Sequence, residues 1–467
     1  MMNKKNNKYK SDSLDSKEDK VDLYQDAMIS NLISVNNKST SDSDAKKPTE
    51  NRIELLKNAY KGGTLKPMID FDDHNTETFM DKRITKNLLD ARSLFLSMGV
   101  KLIYIKSGTT GHTFKAISRS NKNVVFAVKV CAYPKDDYGG IKSSSRPENV
   151  EIRMLKILSY FVVNRLTPHL VLPIGTFHTD IEKFINIPEG VIDLKDEKND
   201  MYKKFIERYH DGEFEKFVSV LISEWCNGGD LLDYIRKNYE SMTLETWTVV
   251  IFQLLFTLAL IHEKFPAFRH NDMKANNILV EKTDNKHEGP DKWYRYSLGS
   301  HVFIIPGIGI QIKIWDFDFA SIDGIVENKK VNADWTKKIN ISKKKNMYYD
   351  MHYFFNTLIS KRFFPQFYEG GVPQEIVDFV HRIVPEEFRN GSDNINKKGR
   401  ILVDVEYTTP FKVIMTDPLF EKYRYNQYYF HPQRNMAPKK SILFQQGNGS
   451  KQPVPKKSTG QKPTKKV

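Results

Sequence analysis

The first clear hydrophobic pattern is a pair of short apolar stretches separated by a polar turn. The stretches are residues 101–105 and 124–130, and the turn between them contains Gly108, Gly111 and Thr113. This pattern is typical of a β-hairpin. Glycines in such a turn let backbone N–H groups approach a phosphate closely, although Gly-Thr turns are also common in ordinary hairpins.

Further along the chain, apolar residues recur at helical spacing. Residues 150–158 predict an amphipathic helix with Glu151 on or beside its apolar stripe. The longest apolar run, 249–261, includes Gln253 and is too short to span a bilayer, so it predicts a buried helix. With 467 residues and 39% hydrophobic content, the chain can bury a large core and exceeds one average domain.

Two carboxylate motifs carry the candidate chemistry. The first runs His-Asn-Asp-Met-Lys-Ala-Asn-Asn from residue 270, and the second is an Asp-Phe-Asp motif that begins at Asp316 after an apolar strand. Phosphoryl transfer needs an acceptor hydroxyl held in line, a cation near the phosphate oxygens and a divalent metal. Asp272 is the candidate base, and Lys274 can reach the same phosphate. Asn277 and Asp316 offer the hard oxygen ligands that Mg²⁺ prefers.

A residue pattern of this kind can also arise by chance in a polar loop. The second motif follows the first at a suitable place, however, and this favours the catalytic interpretation.

A lysine on an apolar strand is a further candidate for contact with phosphate. Lys129 lies in a Phe-Ala-Val-Lys-Val run, and a buried lysine needs a carboxylate partner. Glu151 is the preferred partner, while Glu148, three residues earlier, is a close competitor. The alternative is an edge-strand lysine that points to water.

Together these residues resemble the eukaryotic-type protein kinases over residues 94–424. The resemblance implies an α+β, two-lobed fold, with a small antiparallel sheet plus one helix and a larger, mostly helical lobe. The implied divisions are 94–222 for the small lobe, 223–229 for the hinge and 230–424 for the large lobe, with insertions at 180–217 and 284–309. The helix near Asp350 resembles the one that supports the catalytic loop.

The same resemblance implies ATP and Mg²⁺ as cofactors and assigns roles to individual residues. Asp272 and Lys274 would be catalytic, and Asn277 and Asp316 would hold the metal. Ser223 would be the gatekeeper next to the adenine. The nucleotide would be bound by Gly108, Gly111, Thr113, Ala127, Lys129, Glu151, Glu224, Cys226, Asp230 and Leu279.

Within that family, the Asp-Phe-Asp motif and the sequence from Met347 most resemble the serine/threonine kinases of poxviruses and other large cytoplasmic DNA viruses. The resemblance implies a viral enzyme located in the host cytoplasm or the virion. Lys274 favours Ser/Thr hydroxyls over Tyr, again by resemblance.

Three departures from the kinase pattern bear on regulation. Asn271 replaces the arginine that usually precedes the catalytic Asp, so a phosphate on the activation segment would lack that partner. Asp318 replaces a glycine, which should restrict motion of the Asp-Phe pair before it. Residues 316–350 contain no Ala-Pro-Glu. That segment also carries Lys337, Lys338, Lys343, Lys344 and Lys345. A lysine run is usually a solvated face, but here it can also favour acidic or phosphorylated substrates.

Composition sets the outer limits. Residues 1–67 are dominated by Lys, Asn, Asp and Ser, and residues 436–467 hold eight lysines and no acid, so we expect both tails to be disordered. The formal charge of +14 comes partly from the second tail, which could contact nucleic acid, an anionic membrane or neither. Cys131 and Cys226 argue against a disulfide framework or a zinc site, and the chain begins without the apolar core of a signal peptide.

Three function classes remain open. The leading one is a serine/threonine protein kinase. The second is a small-molecule kinase, because His-Asn-Asp with a later Asn and Asp also resembles choline and aminoglycoside kinases. The third is a pseudokinase scaffold, suggested by the sparse glycine turn, Asn271 and Asp318.

Overall fold

The computed structural model describes residues 65–70, 73–107, 111–135, 138–185, 199–283 and 293–425. The predicted tail 436–467 and nearly all of the predicted tail 1–67 lie outside these ranges. The described chain has mixed α and β content, with one large sheet followed by a mainly helical part.

The large sheet contains strands β1 to β6 in the spatial order β1-β5-β6-β4-β3-β2. These strands are Asn87–Leu88, Val100–Ser107, Gly111–Ser118, Val125–Pro134, Pro173–Asp180 and Phe214–Glu224. The β1–β5 pair is parallel, and the other neighbours are antiparallel.

The sequence prediction of a hairpin between residues 101–105 and 124–130 is wrong in one respect. A third strand, β3, lies between them and pairs with both β2 and β4. The side chains of β3 alternate between buried and half-buried, with His112, Phe114 and Ala116 pointing inward. Because every second residue of a strand faces the same side, this alternation gives β3 one core face despite its polar residues.

Three helices precede or cross this sheet: α1 (Thr76–Met80), α2 (Ala91–Ser97) and α3 (Pro147–Val163). Nearly all of α3 is buried, including the carboxylate-bearing Glu148 and Glu151. A buried helix with two acids needs partners for them inside the protein.

Residues before 94 also contribute to the core of the sheet. Leu65 is 2% exposed and lies so close to Gly175 that a Cβ there would sit 3.0 Å from a Leu65 methyl. Ile69 and Phe79 are buried in the same core. The packed chain therefore extends into the predicted N-terminal tail and into the segment between it and residue 94.

The first predicted insertion, 180–217, covers one end of the sheet. Residues 186–198 lie outside the described chain, and the rest forms α4 (Ile181–Ile185), α5 (Asp200–His210) and the start of β6. Phe184, Tyr202 and Phe205 pack around His112, with ring centroids 5.4, 5.1 and 4.5 Å from its ring. The described part of this insertion therefore contributes to a buried aromatic cluster.

The helical part contains α6 (Leu231–Asn238), α7 (Leu244–Lys264), α8 (Asp334–Lys337), α9 (Tyr349–Leu358), α10 (Gln374–Ile383) and α11 (Pro410–Thr416). Its short strands are β7 (Phe268–Arg269), β8 (Ile278–Lys282), β9 (Trp293–Leu298), β10 (His301–Pro306), β11 (Ile310–Ile314) and β12 (Ser321–Ile322). They pair as β7–β12, β8–β11 and β9–β10.

Helix α7 is the central helix of this part. By length and composition it could cross a membrane, but most of it is buried inside the protein. The β9–β10 hairpin, in the second predicted insertion, packs on it through Tyr296 and Phe303, whose rings lie 5.2 Å from Phe252.

The buried His112 should make the stability of the protein depend on pH. Burial lowers the pKa of His112 from 6.5 to about 3, and within the described residues neither ring nitrogen has a hydrogen-bond partner. The folded protein therefore favours the neutral ring, so this contribution is complete above pH 6.5 and declines as the pH falls towards 3. The wild type should lose stability between pH 7 and pH 5, whereas His112→Phe lacks this loss. We expect the unfolding free energy of the variant, relative to that of the wild type, to be about 2 kcal/mol higher at pH 5 than at pH 7. Urea unfolding at the two pH values measures this, and a difference that does not change with pH would contradict it.

Candidate active site

A buried carboxylate holds the loop that carries His270, Asn271 and Asp272. Asp350, in the first turn of α9, accepts the backbone N–H of His270 at 2.7 Å and that of Asn271 at 2.8 Å. Burial raises the pKa of Asp350, and the two N–H donors satisfy the carboxylate. This is the support that the resemblance implied for the helix near Asp350.

The carboxylate of Asp272 is held from both sides. Lys274 Nζ and Asn277 Nδ2 each donate to Asp272 Oδ2 at 2.8 Å. Arg400 donates to the other oxygen, Oδ1. Asn277 Nδ2 also donates to the Asp272 backbone carbonyl at 2.8 Å, so the Asn277 side-chain oxygen is the atom left for a cation. The structure thus brings together the three predicted residues of the first motif.

His270 connects the first motif to the second. Its Nδ1 accepts the Asp272 N–H at 3.4 Å, which leaves Nε2 to donate to the backbone carbonyl of Trp315 at 2.9 Å. Trp315 N–H in turn donates to Asn277 O at 3.1 Å. Asp316, the next residue, has a left-handed backbone with φ of +66°. Such a conformation costs energy in a non-glycine residue, and it persists here because the residue before Asp316 is fixed.

Lys129 lies between the two acids expected to need it. Its Nζ is 2.6 Å from Glu151 Oε1 and 2.9 Å from Asp316 Oδ1. Burial would raise the pKa of Asp316, but the Lys129 ammonium outweighs it and lowers that pKa. Burial raises the pKa of Glu151, and Lys129 opposes this. The edge-strand alternative for Lys129 is therefore wrong, because its side chain is only 14% exposed and its ammonium contacts two carboxylates.

The competing glutamate has a different partner. Glu148 Oε2 accepts a hydrogen bond from Arg146 Nε at 3.2 Å. Burial raises the pKa of Glu148, and Arg146 opposes the rise. The structure therefore pairs Lys129 with Glu151, as the helical register predicted.

The glycine turn is described only in part, since Gly108 lies outside the described residues. Gly111 and Thr113 are on β3, where Thr113 is opposite Lys129 in the ladder. A Cβ on Gly111 would lie 3.1 Å from Cys131 Sγ and 3.2 Å from Lys129 Cε. Gly111 therefore leaves room for the Lys129 side chain; its φ is not positive, so a special turn conformation is not the reason for the glycine.

The predicted hinge residues adjoin β4 and β8. Ala127 is opposite Ser223 in the β4–β6 ladder, and Asp230 forms a bridge with Leu279. Gly228 N–H donates to Val280 O at 2.8 Å, and a Cβ on Gly228 would lie 2.7 Å from that oxygen. The close approach of the two chains therefore requires a glycine.

Glu224 and Cys226 are both buried behind this hinge. Glu224 Oε2 lies 2.6 Å from Lys313 Nζ, and Oε1 accepts Leu172 N–H at 2.8 Å. The side chain of Glu224 thus anchors the hinge from inside. The backbone N–H of Glu224 donates to Leu172 O at 3.0 Å, so its backbone carbonyl is the group left for the nucleotide contact that the resemblance implied.

Asp318 is held by a second lysine. Its carboxylate lies 2.5 Å from Lys330 Nζ, and its backbone carbonyl accepts Asn328 Nδ2 at 2.9 Å. Burial raises the pKa of Asp318, and Lys330 opposes that rise. The positive φ of this motif is at Asp316 and not at Asp318, so the backbone here needs no glycine.

The segment after Asp318 is tied directly to the catalytic loop. Asn271 Nδ2 donates to Phe319 O at 3.1 Å and to Ser342 O at 3.0 Å. Arg269, 1% exposed, donates to Ser342 Oγ and to Asn340 O, both at 2.9 Å. Asn271 therefore bonds this segment directly through its neutral amide, with no phosphate needed for the contact.

Most lysines of the predicted basic run have acidic partners nearby. Lys337 pairs with Asp334, and Lys344 lies 3.7 Å from Asp404. Lys343 pairs with both Asp323 and Glu327, at 3.1 and 3.3 Å. The electrostatic argument for acidic substrates is correspondingly weaker, because part of the positive charge is neutralised locally.

Several residues of this site were not identified from the sequence. Arg269, Lys313, Lys330 and Arg400 all contact the predicted motifs or the segment between them. Lys313 carried a signal, since it is a charged residue in an apolar strand three positions before Asp316. Arg400 is 128 residues from Asp272 along the chain, and nothing in its local sequence points to the catalytic loop.

Comparison with known proteins relates this chain to protein kinases. The family model of the poxvirus serine/threonine protein kinases matches residues 199–423, just under half of the chain. A candidate serine/threonine-protein kinase of Acanthamoeba polyphaga mimivirus is 24% identical over 349 residues, which is 65% of this chain and 84% of that protein.

Two cellular kinases match shorter stretches. Serine/threonine-protein kinase ppk27 of Schizosaccharomyces pombe is 32% identical over 77 residues, 16% of this chain and 18% of that protein. Human serine/threonine-protein kinase ULK1 is 31% identical over 100 residues, 21% of this chain and 8% of that protein. The chain is therefore related to the serine/threonine kinases of large DNA viruses.

The two glutamates of α3 provide a matched test of the Lys129 contact. We expect Lys129→Met to abolish phosphotransfer, and Glu151→Gln to lower turnover about 10- to 100-fold by loosening the lysine. Glu148→Gln, on the same helix and also buried, should lower turnover far less. Radiolabelled phosphate transfer measures turnover, and melting temperatures identify any variant that fails to fold. The opposite ranking of the two glutamate variants would contradict the assignment.

The direct bonds from Asn271 and Arg269 predict activity without phosphate on the activation segment. Thr336 and Ser321 are almost fully buried, and the Ser342 hydroxyl already accepts from Arg269. Phosphatase treatment should therefore leave turnover unchanged, with mass spectrometry confirming that residues 320–349 carry no phosphate. Loss of activity traced to Ser321, Thr336 or Ser342 would refute the prediction.

Proposed function

We propose that this chain is an ATP-dependent serine/threonine protein kinase. The observation that carries the proposal is the assembly of two charged groups from distant parts of the sequence. Lys129 is held between Glu151 and Asp316, and Asp272 is held by Lys274 and Asn277. The viral kinase relationship supports the same function.

We further propose that the described chain forms the two lobes of a kinase. The six-stranded sheet with α3 would be the small lobe, and the part from α6 onward would be the large one. Nucleotide would lie between them, near Gly111, Ala127 and Leu279 on the two sides and the hinge at the back. The Lys106 ammonium, 3.6 Å from Asp230, spans this opening from the sheet side.

The reaction we infer moves the γ-phosphoryl group from ATP to a protein hydroxyl. The serine or threonine oxygen bonds to phosphorus while the bond to the β-phosphate oxygen breaks, and ADP leaves. Asp272 accepts the hydroxyl proton, and Lys274 lies beside it to offset negative charge on the transferred group. Lys129 would contact the α- and β-phosphates, held in place by Glu151.

The residues present fit a divalent cation. Asn277 directs its amide hydrogens to Asp272, which leaves its side-chain oxygen as the atom that could bind a cation. Asp316 uses Oδ1 for Lys129, and its side chain is 35% exposed, which leaves a carboxylate oxygen accessible. Both are hard oxygen donors of the kind Mg²⁺ prefers. Bound Mg²⁺ would neutralise charge on the β- and γ-phosphates.

Two other functions are not favoured. The relatives that match are protein kinases, which argues against a choline or aminoglycoside kinase. Each side chain that phosphoryl transfer needs is present and paired, which argues against a pseudokinase. A radiolabelled ATP assay with a mixed protein substrate and, separately, with choline distinguishes the three. Label on serine and threonine of protein is the expected result; label on choline alone, or none, would overturn the proposal.

We also infer that this kinase is virally encoded and acts in the host cytoplasm or the virion. The relationship to poxvirus and mimivirus kinases supports this. Detection of the protein in purified particles and in fractionated infected cells tests both locations.

Replacing a single carboxylate oxygen tests the metal assignment. We expect Asp316→Asn to lower turnover by roughly 100-fold or more, since a neutral amide binds Mg²⁺ weakly. The variant should also lose the magnesium dependence of nucleotide binding in calorimetry. Asp323→Asn is the matched control, because it removes an exposed carboxylate seven residues away that pairs with Lys343. Full activity of Asp316→Asn would contradict the assignment.

A further inference from the structure

A buried arginine reaches the proposed catalytic base from a distant part of the chain. Arg400 is 4% exposed and donates through one terminal nitrogen to Asp272 Oδ1. Through the other it donates to Asn271 O and to the Tyr349 hydroxyl, the latter at 3.1 Å. Its guanidinium also lies 4.2 Å from the Tyr353 ring centroid. Four different groups therefore fix its position.

The turn that carries Arg400 is held by its own hydrogen bonds. Asn396 accepts Gly399 N–H at 2.9 Å through its backbone and Arg400 N–H at 3.0 Å through its side chain. Gly399 has φ of +86°, a conformation that favours glycine, and its carbonyl accepts Asn356 Nδ2 from α9 at 2.9 Å. Arg400 is thus built onto the same helix that supports the catalytic loop through Asp350.

The residues after Arg400 run beside the activation segment. Asn340 Nδ2 donates to Ile401 O at 3.0 Å, and Asn346 Nδ2 donates to Val405 O at 2.9 Å. Met347 N–H donates to the Glu406 carboxylate at 2.7 Å. One short stretch of chain therefore contacts both the catalytic base and the segment next to the substrate.

We propose that Arg400 is a positioning residue for Asp272. It acts through the carboxylate and does not touch the substrate. Arg400 holds Oδ1, and Lys274 and Asn277 hold Oδ2, so the orientation of the Asp272 carboxylate is fixed. The bond from Arg400 to Asn271 O also secures the left-handed backbone at Asn271, where φ is +62°.

The chemistry of the contact requires arginine. A guanidinium is planar and directs several N–H groups to separate acceptors while one face stacks on a ring. Lysine could keep the charge near Asp272 but could not hold Asn271 O and Tyr349 at the same time. Since an error of about 1 Å in the position of a reacting group can cost about 100-fold in rate, the second contact matters for turnover.

This inference rests on the proposed kinase function, so the test begins with the wild-type chain. Phosphate transfer from radiolabelled ATP to a mixed protein substrate is measured for wild type, Arg400→Met, Arg400→Lys and Arg389→Met. Turnover is expressed per nucleotide-binding site, with sites and nucleotide affinity determined by calorimetry, so that unfolded protein does not count. Arg389 is the control: it bonds Val384 O and His381 O nearby and, in the hydrogen bonds seen, does not reach the catalytic loop.

We expect Arg400→Met to lower turnover per site about 100-fold, with nucleotide affinity unchanged within about twofold, and Arg400→Lys to recover part of the loss. Arg389→Met should retain wild-type turnover per site. If Arg400→Met does not fold, Arg400→Lys decides, with a loss of about fivefold or more expected at unchanged nucleotide affinity.

Wild-type turnover per site in a folded Arg400 variant overturns the inference alone, as does a loss that arises wholly from weaker nucleotide binding. A wild-type chain that phosphorylates no protein overturns the proposed function, and this inference with it.

Discussion

The ammonium of Lys129 is the group on which the arrangement of the site depends. The Lys129 side chain is only 14% exposed, and a charge with so little access to water is tolerated only when it is paired and hydrogen-bonded. Its partners come from α3 and from the end of β11, so the sheet, the helix and the second carboxylate motif must be assembled together to satisfy it. Removing either acid would take away one of the two carboxylates that hold the ammonium in place.

A second set of contacts holds the catalytic loop without any modification. Asp350 accepts two backbone N–H groups of the loop, Arg400 donates to the Asp272 carboxylate, and Asn271 and Arg269 both donate to Ser342. Each bond joins parts of the chain that are tens of residues apart. The folded chain therefore holds the catalytic loop through its own hydrogen bonds.

The match to the kinase family and the charged pairs of the site come from different regions of the chain, and both point to a kinase. The poxvirus family match begins at residue 199, so it covers Asp272, Asn277 and Asp316 but not Lys129 or Glu151. The pairing of Lys129 with Glu151 lies outside that match and was confirmed by the structure. Lys129 lies outside the matched region and contacts Asp316 inside it. A chance resemblance confined to the matched region would not explain this contact.

The sequence by itself determined the residues that can do chemistry and the regular elements that carry them. Spacing along a short loop was enough to group Asp272, Lys274 and Asn277, and helical periodicity was enough to prefer Glu151 over Glu148, because both depend on local geometry. The strand β3 was missed because its apolar residues alternate with polar ones, and the packing of Leu65 and of α5 on the sheet was missed because their segments are polar overall.

Only the tertiary structure decided the contacts between distant segments. Arg400 and Lys313 are charged residues whose partners lie 128 and 89 positions away. The position of a charged residue in the sequence does not indicate which distant residue it will pair with. Burial selects those partners, because a charge that leaves water must find a counter-charge wherever the fold places one.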